Sequence, residues 1–323
     1  MNGKPDNHAP LPRTGSSDAV SPRASRPLLM GLMWAALTVA IFSGWFVVTR
    51  FSVTRELRLW DVTALRYGIG ALVLAPSLWL RGRQLPAARW REGLLYAFLW
   101  GVPFVLLVAL GLQQTSAAQA AAVAPTLMPV FAGLLAWWFL KEKPDQVRLW
   151  GYASIVAGLA CMLAFGGTAS GAPSLAGIVA LVCAASMWAI YTVLFRRSSL
   201  SAVQSAALIC VWSALVFIPV YLLCGLSRLA LASWPEIALQ AFYQGILMSG
   251  VALVSFNRSV ALLGPSAATA LIALIPVSAL LLGIPVLGEL PSIAECIAMA
   301  AVVAGVFLAA RPARSNAPAS PGP

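Results

Sequence analysis

An arginine stands inside an apolar stretch that begins near residue 61. Arg66 follows "DVTAL" and precedes "YGIGALVL", so no other charge lies beyond it for many residues. An arginine within a membrane-spanning helix is costly and is a functional candidate by default. The alternative is that its long side chain reaches the polar interface and serves only the structure. Anion or carboxylate recognition and a structural role both stay open at this point.

Aromatic and amide side chains in the other apolar stretches could share a cavity with Arg66. Such a lining suits an amphipathic ligand with a flat or branched apolar part. Because Trp and Tyr also form belts at membrane interfaces, a belt role is the alternative for the aromatic members. For the amide of Gln119 the alternative is a role in a loop. The candidate substrate-binding residues are Trp45, Arg66, Tyr67, Trp100, Gln119, Trp188, Tyr191, Tyr243 and Asn257.

Residues for covalent, metal or nucleotide chemistry are missing from the pattern. The single histidine, His8, lies in a polar N-terminal stretch, and the five cysteines form no CxxC pair. No GxxxxGK[ST] loop occurs, so ATP hydrolysis by this chain is not expected. The sequence therefore predicts no catalytic residues, no metal site and no cofactor, and the chain is not expected to be an enzyme.

The composition places most of the chain in a lipid bilayer. Of the 323 residues, 60% are hydrophobic and 10% charged, far from the roughly 25% charged residues of a soluble domain. The net charge of +11 sits in short loops between apolar runs, so no nucleic-acid partner is predicted. Ten apolar segments, each near the ~20 residues that cross a bilayer, predict an all-α integral membrane protein with ten transmembrane helices.

The distribution of Lys and Arg predicts the orientation of these helices. With ten spans, sixteen basic residues fall on the side of both termini and four on the other side. Positive residues favour the cytoplasm, so both termini are predicted to be cytoplasmic. The polar stretches 1–27 and 311–323 are predicted to be disordered cytoplasmic tails.

The chain contains two copies of one unit. "FLKEKP" and "VLGELP" close apolar stretches 147 residues apart, and twelve of 34 positions are identical between 129–162 and 276–309. Five helices per copy is an odd number, so 28–168 and 173–310 should enter the membrane from opposite sides as inverted repeats, an arrangement typical of transporters. The repeated motif comprises Glu142, Pro144, Gly158, Glu289, Pro291 and Gly305, and the prolines expected to kink helices are Pro125, Pro129 and Pro276.

The repeated glutamates have two possible roles. Glu142 and Glu289 begin loops, so bracing of the next helix is favoured over proton coupling, which calls for a carboxylate at mid-membrane. No Asp or Glu falls near the centre of any predicted span, and no proton site is evident. Glu295, a few residues into the last span, is the next candidate.

The two copies resemble the EamA domain of the drug/metabolite transporter superfamily. The first carries "SGWFVVTRF" and "MPVFAGLLAWWFLKEKP", and the second carries "ASMWAIYTVLF" and "LLGPSAATALIALIPVSALLLGIPVLGELP". The resemblance covers roughly residues 28–310. It implies ten helices, a central cavity between the halves, alternating access, and substrates such as amino acids, sugars or toxic amphipathic compounds, with export as the frequent direction.

These observations predict a secondary transporter in the inner (plasma) membrane, most simply an exporter of small amphipathic metabolites such as amino acids. Transport of sugars or toxic compounds is the alternative, and so is a membrane sensor or partner subunit without catalysis. The expected partners are a small-molecule substrate and the lipid bilayer. Either a monomer or a homodimer is compatible with the sequence.

Overall fold

The computed structural model describes residues 22–78, 85–141, 143–165, 174–195, 197–263, 271 and 274–309. Within these ranges the chain is helical and contains no strand, as the composition predicts. The predicted tails lie largely outside the described residues, although the first helix begins six residues before the predicted span. The helices are α1 (Pro22–Val53), α2 (Leu59–Leu74), α3 (Ala87–Trp100), α4 (Val102–Gln114), α5 (Ala117–Leu140), α6 (Gln146–Phe165), α7 (Leu175–Phe195), α8 (Ala202–Leu223), α9 (Trp234–Gln240), α10 (Ala252–Leu263), α11 (Ile275–Leu287) and α12 (Ile293–Ala309).

Six of the described helical stretches are long and apolar enough to cross a membrane, and α11 and α12 are shorter apolar helices. One of the six, Ala87–Gln114, combines α3 and α4 around Gly101. A Cβ at Gly101 would lie 2.0 Å from the Ala97 carbonyl oxygen, so only glycine fits this joint. Another, Trp234–Phe256, contains an eleven-residue π-helix, Ala241–Val251, between α9 and α10. A π-helix of this length is rare, and shorter ones recur at functional sites.

Most helix packing joins a first group of helices, α1–α6, to a second group, α7–α12 with the π-helix. Helix α1 packs along α10 and α11, while α3, α4 and α5 pack along α7. Helix α2 packs on α8 and on the π-helix, and α3 also packs on α8. Helices α6 and α12 form the closest pair, where a Cβ at Gly305 would lie 2.8 Å from the Gly151 carbonyl oxygen. The small residues thus let these two backbones approach.

The bundle has two distinguishable ends. At one end α1, α4, α8 and α11 finish and α2, α5, α9 and α12 begin; we call it the Glu289 end. Side-chain contacts join these termini: Arg50 Nη1 donates to the Leu112 carbonyl at 2.5 Å, and Ser233 N–H donates to Glu56 at 2.7 Å. The other end, where α7 finishes and α3 and α8 begin, is called the opposite end.

The repeated motif closes α5 and α11 with the same backbone geometry. Lys141 (φ 59°, ψ 20°) and Gly288 (φ 70°, ψ 17°) hold equivalent positions and both are left-handed, and Lys141 is the one non-glycine with positive φ among the described residues. A side chain in this conformation is strained, whereas glycine adopts it freely.

Lys141→Gly is therefore expected to stabilise the protein by about 1 kcal/mol, because the strain of the left-handed lysine is relieved. Thermal unfolding in detergent should show a melting temperature about 2–4 °C higher. The reciprocal change, Gly288→Lys, should lower it by a similar amount. A lower melting temperature for Lys141→Gly would contradict this assignment.

Candidate functional site

A cavity of about 90 Å³ lies between the two groups of helices. This volume holds several water molecules or part of a small organic molecule. Side chains from α1, α2, α3, α7, α8, α10 and the π-helix form its wall. The lining residues are Phe42, Arg66, Tyr67, Trp100, Tyr191, Ala206, Ile209, Cys210, Met248, Ser249, Ala252, Leu253 and Phe256.

Arg66 carries the charge of this cavity. Arg66 is 4% exposed, and its Nη1 donates to Gln244 Oε1 at 3.3 Å. Its guanidinium carbon lies 5.1 Å from the centroid of the Trp45 ring, a cation–π distance. Among the described residues no carboxylate pairs with Arg66. A buried cation without a counter-charge is expensive, and an anionic ligand is what would compensate it.

Asp61, the acidic residue nearest to Arg66 in the chain, is occupied elsewhere. Its Oδ2 accepts the Arg58 N–H at 2.9 Å and thereby caps the start of α2. Its Oδ1 accepts the Tyr221 hydroxyl at 2.5 Å and the Arg228 N–H at 2.9 Å. Asp61 therefore fastens α2 to α8 and to the loop that follows it, one and a half turns from Arg66.

The wall beside Arg66 is aromatic. Trp100 packs with ring centroids 4.3 Å from Phe104, 4.5 Å from Trp188 and 5.6 Å from Tyr191. The Tyr67 hydroxyl donates to the Trp100 carbonyl at 3.0 Å and so fixes the end of α3 against α2. Flat, stacked rings favour a flat apolar ligand over a strongly hydrated one.

A chain of buried polar side chains runs from Arg66 toward the Glu289 end. Gln244 Oε1 also accepts the Trp45 Nε1–H at 3.0 Å, and its Nε2 donates to Thr49 Oγ1 at 2.8 Å and to Gln240 Oε1 at 3.1 Å. Gln240 Nε2 in turn donates to Ser52 Oγ at 2.6 Å.

This chain ends at a carboxylate. The Ser52 hydroxyl donates to Glu236, which is 7% exposed. This row of hydrogen-bonded side chains fills the space between α1 and the α9–π-helix segment on the Glu289 side of Arg66. The cavity therefore lies on the side of Arg66 that faces the opposite end. Glu236, Gln240 and Gln244 were not among the residues predicted from the sequence. Their signal is a polar residue at every fourth position, which places all three on one helical face.

A charged contact joins helix termini at the Glu289 end. Glu289 Oε1 accepts from Arg50 Nε at 3.2 Å, and Oε2 accepts the Ala117 N–H at 3.0 Å. The two side chains are 9% and 15% exposed, respectively. Glu289 therefore joins the ends of α1 and α11 to the beginning of α5, where the helix dipole favours a negative charge.

The sequence profile of the EamA-like transporter family matches this chain twice, over residues 29–164 and 175–311. Together the two matches cover most of the chain. The chain belongs to the EamA-like transporter family. The resemblance found in the sequence is thereby confirmed, and the several apolar helices agree with a multi-pass membrane protein of that family.

Two known proteins are similar to this chain in sequence. An uncharacterized transporter, YwfM of Bacillus subtilis (strain 168), is 26% identical over 250 residues, which cover 76% of this chain and 82% of that protein. A probable terminal-alkyne amino-acid exporter of Streptantibioticus cattleyicolor is 29% identical over 184 residues, 56% of this chain and 60% of that protein. The second match therefore spans less than two thirds of the exporter's length.

A solved structure described as "Crystal structure of protein" shares the fold. It aligns with a TM-score of 0.60 and 22% identity, and the alignment covers 88% of this chain and 96% of that one. At this level of identity the likeness speaks for the helical architecture alone.

Within this EamA-family fold, the structure brings together four of the predicted site residues. Arg66, Tyr67, Trp100 and Tyr191 line the cavity. Trp45 and Trp188 stand behind that lining, where Trp45 holds Gln244 and Trp188 packs on Trp100. The side chain of Asn257 lies outside the described residues.

Two predicted lining residues are placed elsewhere. The Tyr243 hydroxyl donates to the Ile41 carbonyl at 2.9 Å and passes over Gly44, so it packs the π-helix on α1. Gln119 caps α5 by accepting the Ser116 N–H at 3.1 Å, and its Nε2 donates to Glu295 at 2.9 Å. The S-x-x-Q pattern of a capping box explains this position.

The prolines predicted to kink helices lie at different places in their helices. Pro125 and Pro129 lie inside α5, which continues through both to Leu140. Pro276 lies in the first turn of α11, where a missing N–H costs no helical hydrogen bond.

Of the repeated motif, Gly158 and Gly305 lie in the α6–α12 contact, where a Cβ at Gly158 would come within 2.9 Å of the Ala298 carbonyl oxygen. Pro144 and Pro291 lie in the short connections before α6 and α12. Glu142 lies outside the described residues.

Proposed function

We propose that this chain is a secondary transporter that exports small amphipathic metabolites, amino acids among them, across the inner membrane. The observation that carries the proposal is Arg66, a buried cation at an aromatic cavity between the two groups of helices, with no carboxylate partner among the described residues. Membership of the EamA-like transporter family and the relative named as a probable amino-acid exporter support it.

The proposal includes alternating access between two inverted five-helix halves, 28–168 and 173–310. The helix packing supports it, because contacts occur in matching pairs. The contact of α1 with α10 is matched by the contact of α7 with α3 and α4, and the contact of α1 with α11 is matched by the contact of α7 with α5. With both termini cytoplasmic, the Glu289 end faces outward and is closed. The cavity then represents the state that receives substrate from the cytoplasm.

The first test is mass-spectrometric profiling of cytosol and medium from cells that overproduce the protein. A small set of metabolites should rise in the medium and fall in the cytosol relative to cells that carry an Arg66→Gln variant at equal membrane level. Accumulation inside the cell would reverse the direction. No difference across amino acids, sugars and toxic amphipathic compounds would refute the transport function.

Trp45→Ala and Trp188→Ala are each expected to slow this export at least tenfold without preventing membrane insertion. Trp45 holds Gln244 and faces Arg66, and Trp188 backs Trp100, so both losses deform the cavity wall. The matched control is Trp138→Ala, because Trp138 is 71% exposed on α5. Export at the control rate in both cavity variants would contradict the assignment of the cavity.

A further inference from the structure

We propose that the cavity selects monoanionic carboxylic acids with a flat apolar body over zwitterionic amino acids of the same shape. The inference rests on the proposed transport function and names its substrate class. It follows from the charge balance around Arg66, where the described part of the chain provides a partner for a carboxylate and none for an ammonium group.

The cavity wall carries one charge among its described residues. Arg66 is the single charged side chain among the lining residues that the structure describes. The other lining side chains are apolar or aromatic apart from a serine and a cysteine. A carboxylate placed here meets the guanidinium, and a bidentate pair is the geometry that arginine favours.

Four buried carboxylates of the described residues are engaged elsewhere. Asp61 accepts three hydrogen bonds near the Glu289 end, from two backbone N–H groups and the Tyr221 hydroxyl. Glu236 is separated from Arg66 by Ser52, Gln240 and Gln244.

Glu289 and Glu295 are likewise engaged away from the cavity, with Arg50 and with Gln119. None of these four carboxylates is therefore free to pair with an ammonium group of a ligand bound at Arg66.

Aromatic faces could in principle bind an ammonium group in place of a carboxylate. Arg66 itself occupies a position 5.1 Å from the Trp45 ring centroid. Trp100 stacks on Phe104 with an interplanar angle of 21° and on Tyr191 with an angle of 18°, so neighbouring rings take up much of its surface. The α-ammonium of an amino acid would also lie close to Arg66 and be repelled in this low-dielectric site.

The amide of Gln244 sits where a counter-ion for Arg66 could sit. Gln244 Oε1 accepts from both Arg66 Nη1 and Trp45 Nε1. The neutral amide orients the guanidinium without cancelling its charge. Gln244→Glu changes little in shape and would supply the missing anion.

The test compares three probes with one aromatic body: 3-phenylpropanoate, phenylalanine and 2-phenylethylamine. Binding to the purified full-length protein in lipid nanodiscs is measured by titration calorimetry, and transport by counterflow in proteoliposomes. We expect 3-phenylpropanoate to bind at least tenfold more tightly than phenylalanine, and 2-phenylethylamine to bind most weakly. In Gln244→Glu the affinity for 3-phenylpropanoate should fall at least tenfold, and the preference over phenylalanine should disappear.

Two arginine variants complete the design. Arg66→Lys should keep the anion preference with reduced affinity, and Arg66→Gln should abolish it. Equal or tighter binding of phenylalanine by the native protein would overturn the inference while leaving the transport function intact. Binding of none of the three probes would overturn it as well, and the export profile of living cells then decides the transport function separately.

Discussion

Gln244→Leu is expected to abolish transport and to lower the melting temperature by on the order of 10 °C. The substitution removes both acceptor bonds of the amide oxygen and both donor bonds of the amide nitrogen. It leaves the indole N–H of Trp45 and the guanidinium of Arg66 without their acceptor in a buried site. Each buried polar group left unsatisfied costs about 1–3 kcal/mol.

The measurement is thermal unfolding in detergent together with export from cells at matched membrane levels. Gln204→Leu is the matched control, since Gln204 is a half-buried amide in the first turn of α8, where it accepts the Ser201 N–H at 3.0 Å. The control should cost about 1 kcal/mol or less. Equal stability losses for the two variants would contradict the structural role of Gln244.

Glu289→Gln is expected to loosen the closed Glu289 end by about 1.5–3 kcal/mol, which corresponds to a tenfold to hundredfold higher open population. The glutamine keeps an oxygen for the Ala117 N–H but loses the charge that pairs with Arg50. Since both side chains are partly accessible to solvent, the effect should stay below that of a fully buried pair.

Reactivity of a cysteine introduced at Ala118 reports this opening directly. Ala118 lines a small crevice beside Glu289 and Glu295. In a background without the native cysteines, a membrane-impermeant thiol reagent should label the position at least tenfold faster in Glu289→Gln. A double-mutant cycle with Arg50→Met should show coupling, because the second substitution removes a contact already broken. Additive effects, or unchanged labelling, would refute the ionic closure.

Arg66 could be singled out from the sequence, but the choice between its possible roles needed the structure. Arg66 was identified from one charge in an apolar run, with structural and anion-binding roles left open. Its 4% exposure and its neutral partner Gln244 favour the anion-binding role. Sequence spacing could not supply this partner, because Gln244 lies 178 residues away.

Some local patterns in the sequence indicate more than was first inferred from them. The S-x-x-Q pattern at the start of α5 identifies Gln119 as a capping residue. Its side chain therefore binds at the helix end and not in the cavity. The four-residue spacing of Glu236, Gln240 and Gln244 marks a polar helical face. Such a face can turn to solvent, to a loop or to another helix, and only the packing of α1 against it makes it a buried chain.

The sequence by itself determined the helical membrane architecture, because long apolar helices are what crosses the hydrocarbon core of a bilayer. It also determined the family, because the repeated motif occurs at equal spacing in both copies. The tertiary structure alone decided which polar side chains meet. The contacts of Trp45 with Gln244 and of Arg50 with Glu289 join residues 199 and 239 positions apart, respectively. Their energies depend on burial and partner geometry, which are properties of the packed bundle and not of any local stretch of sequence.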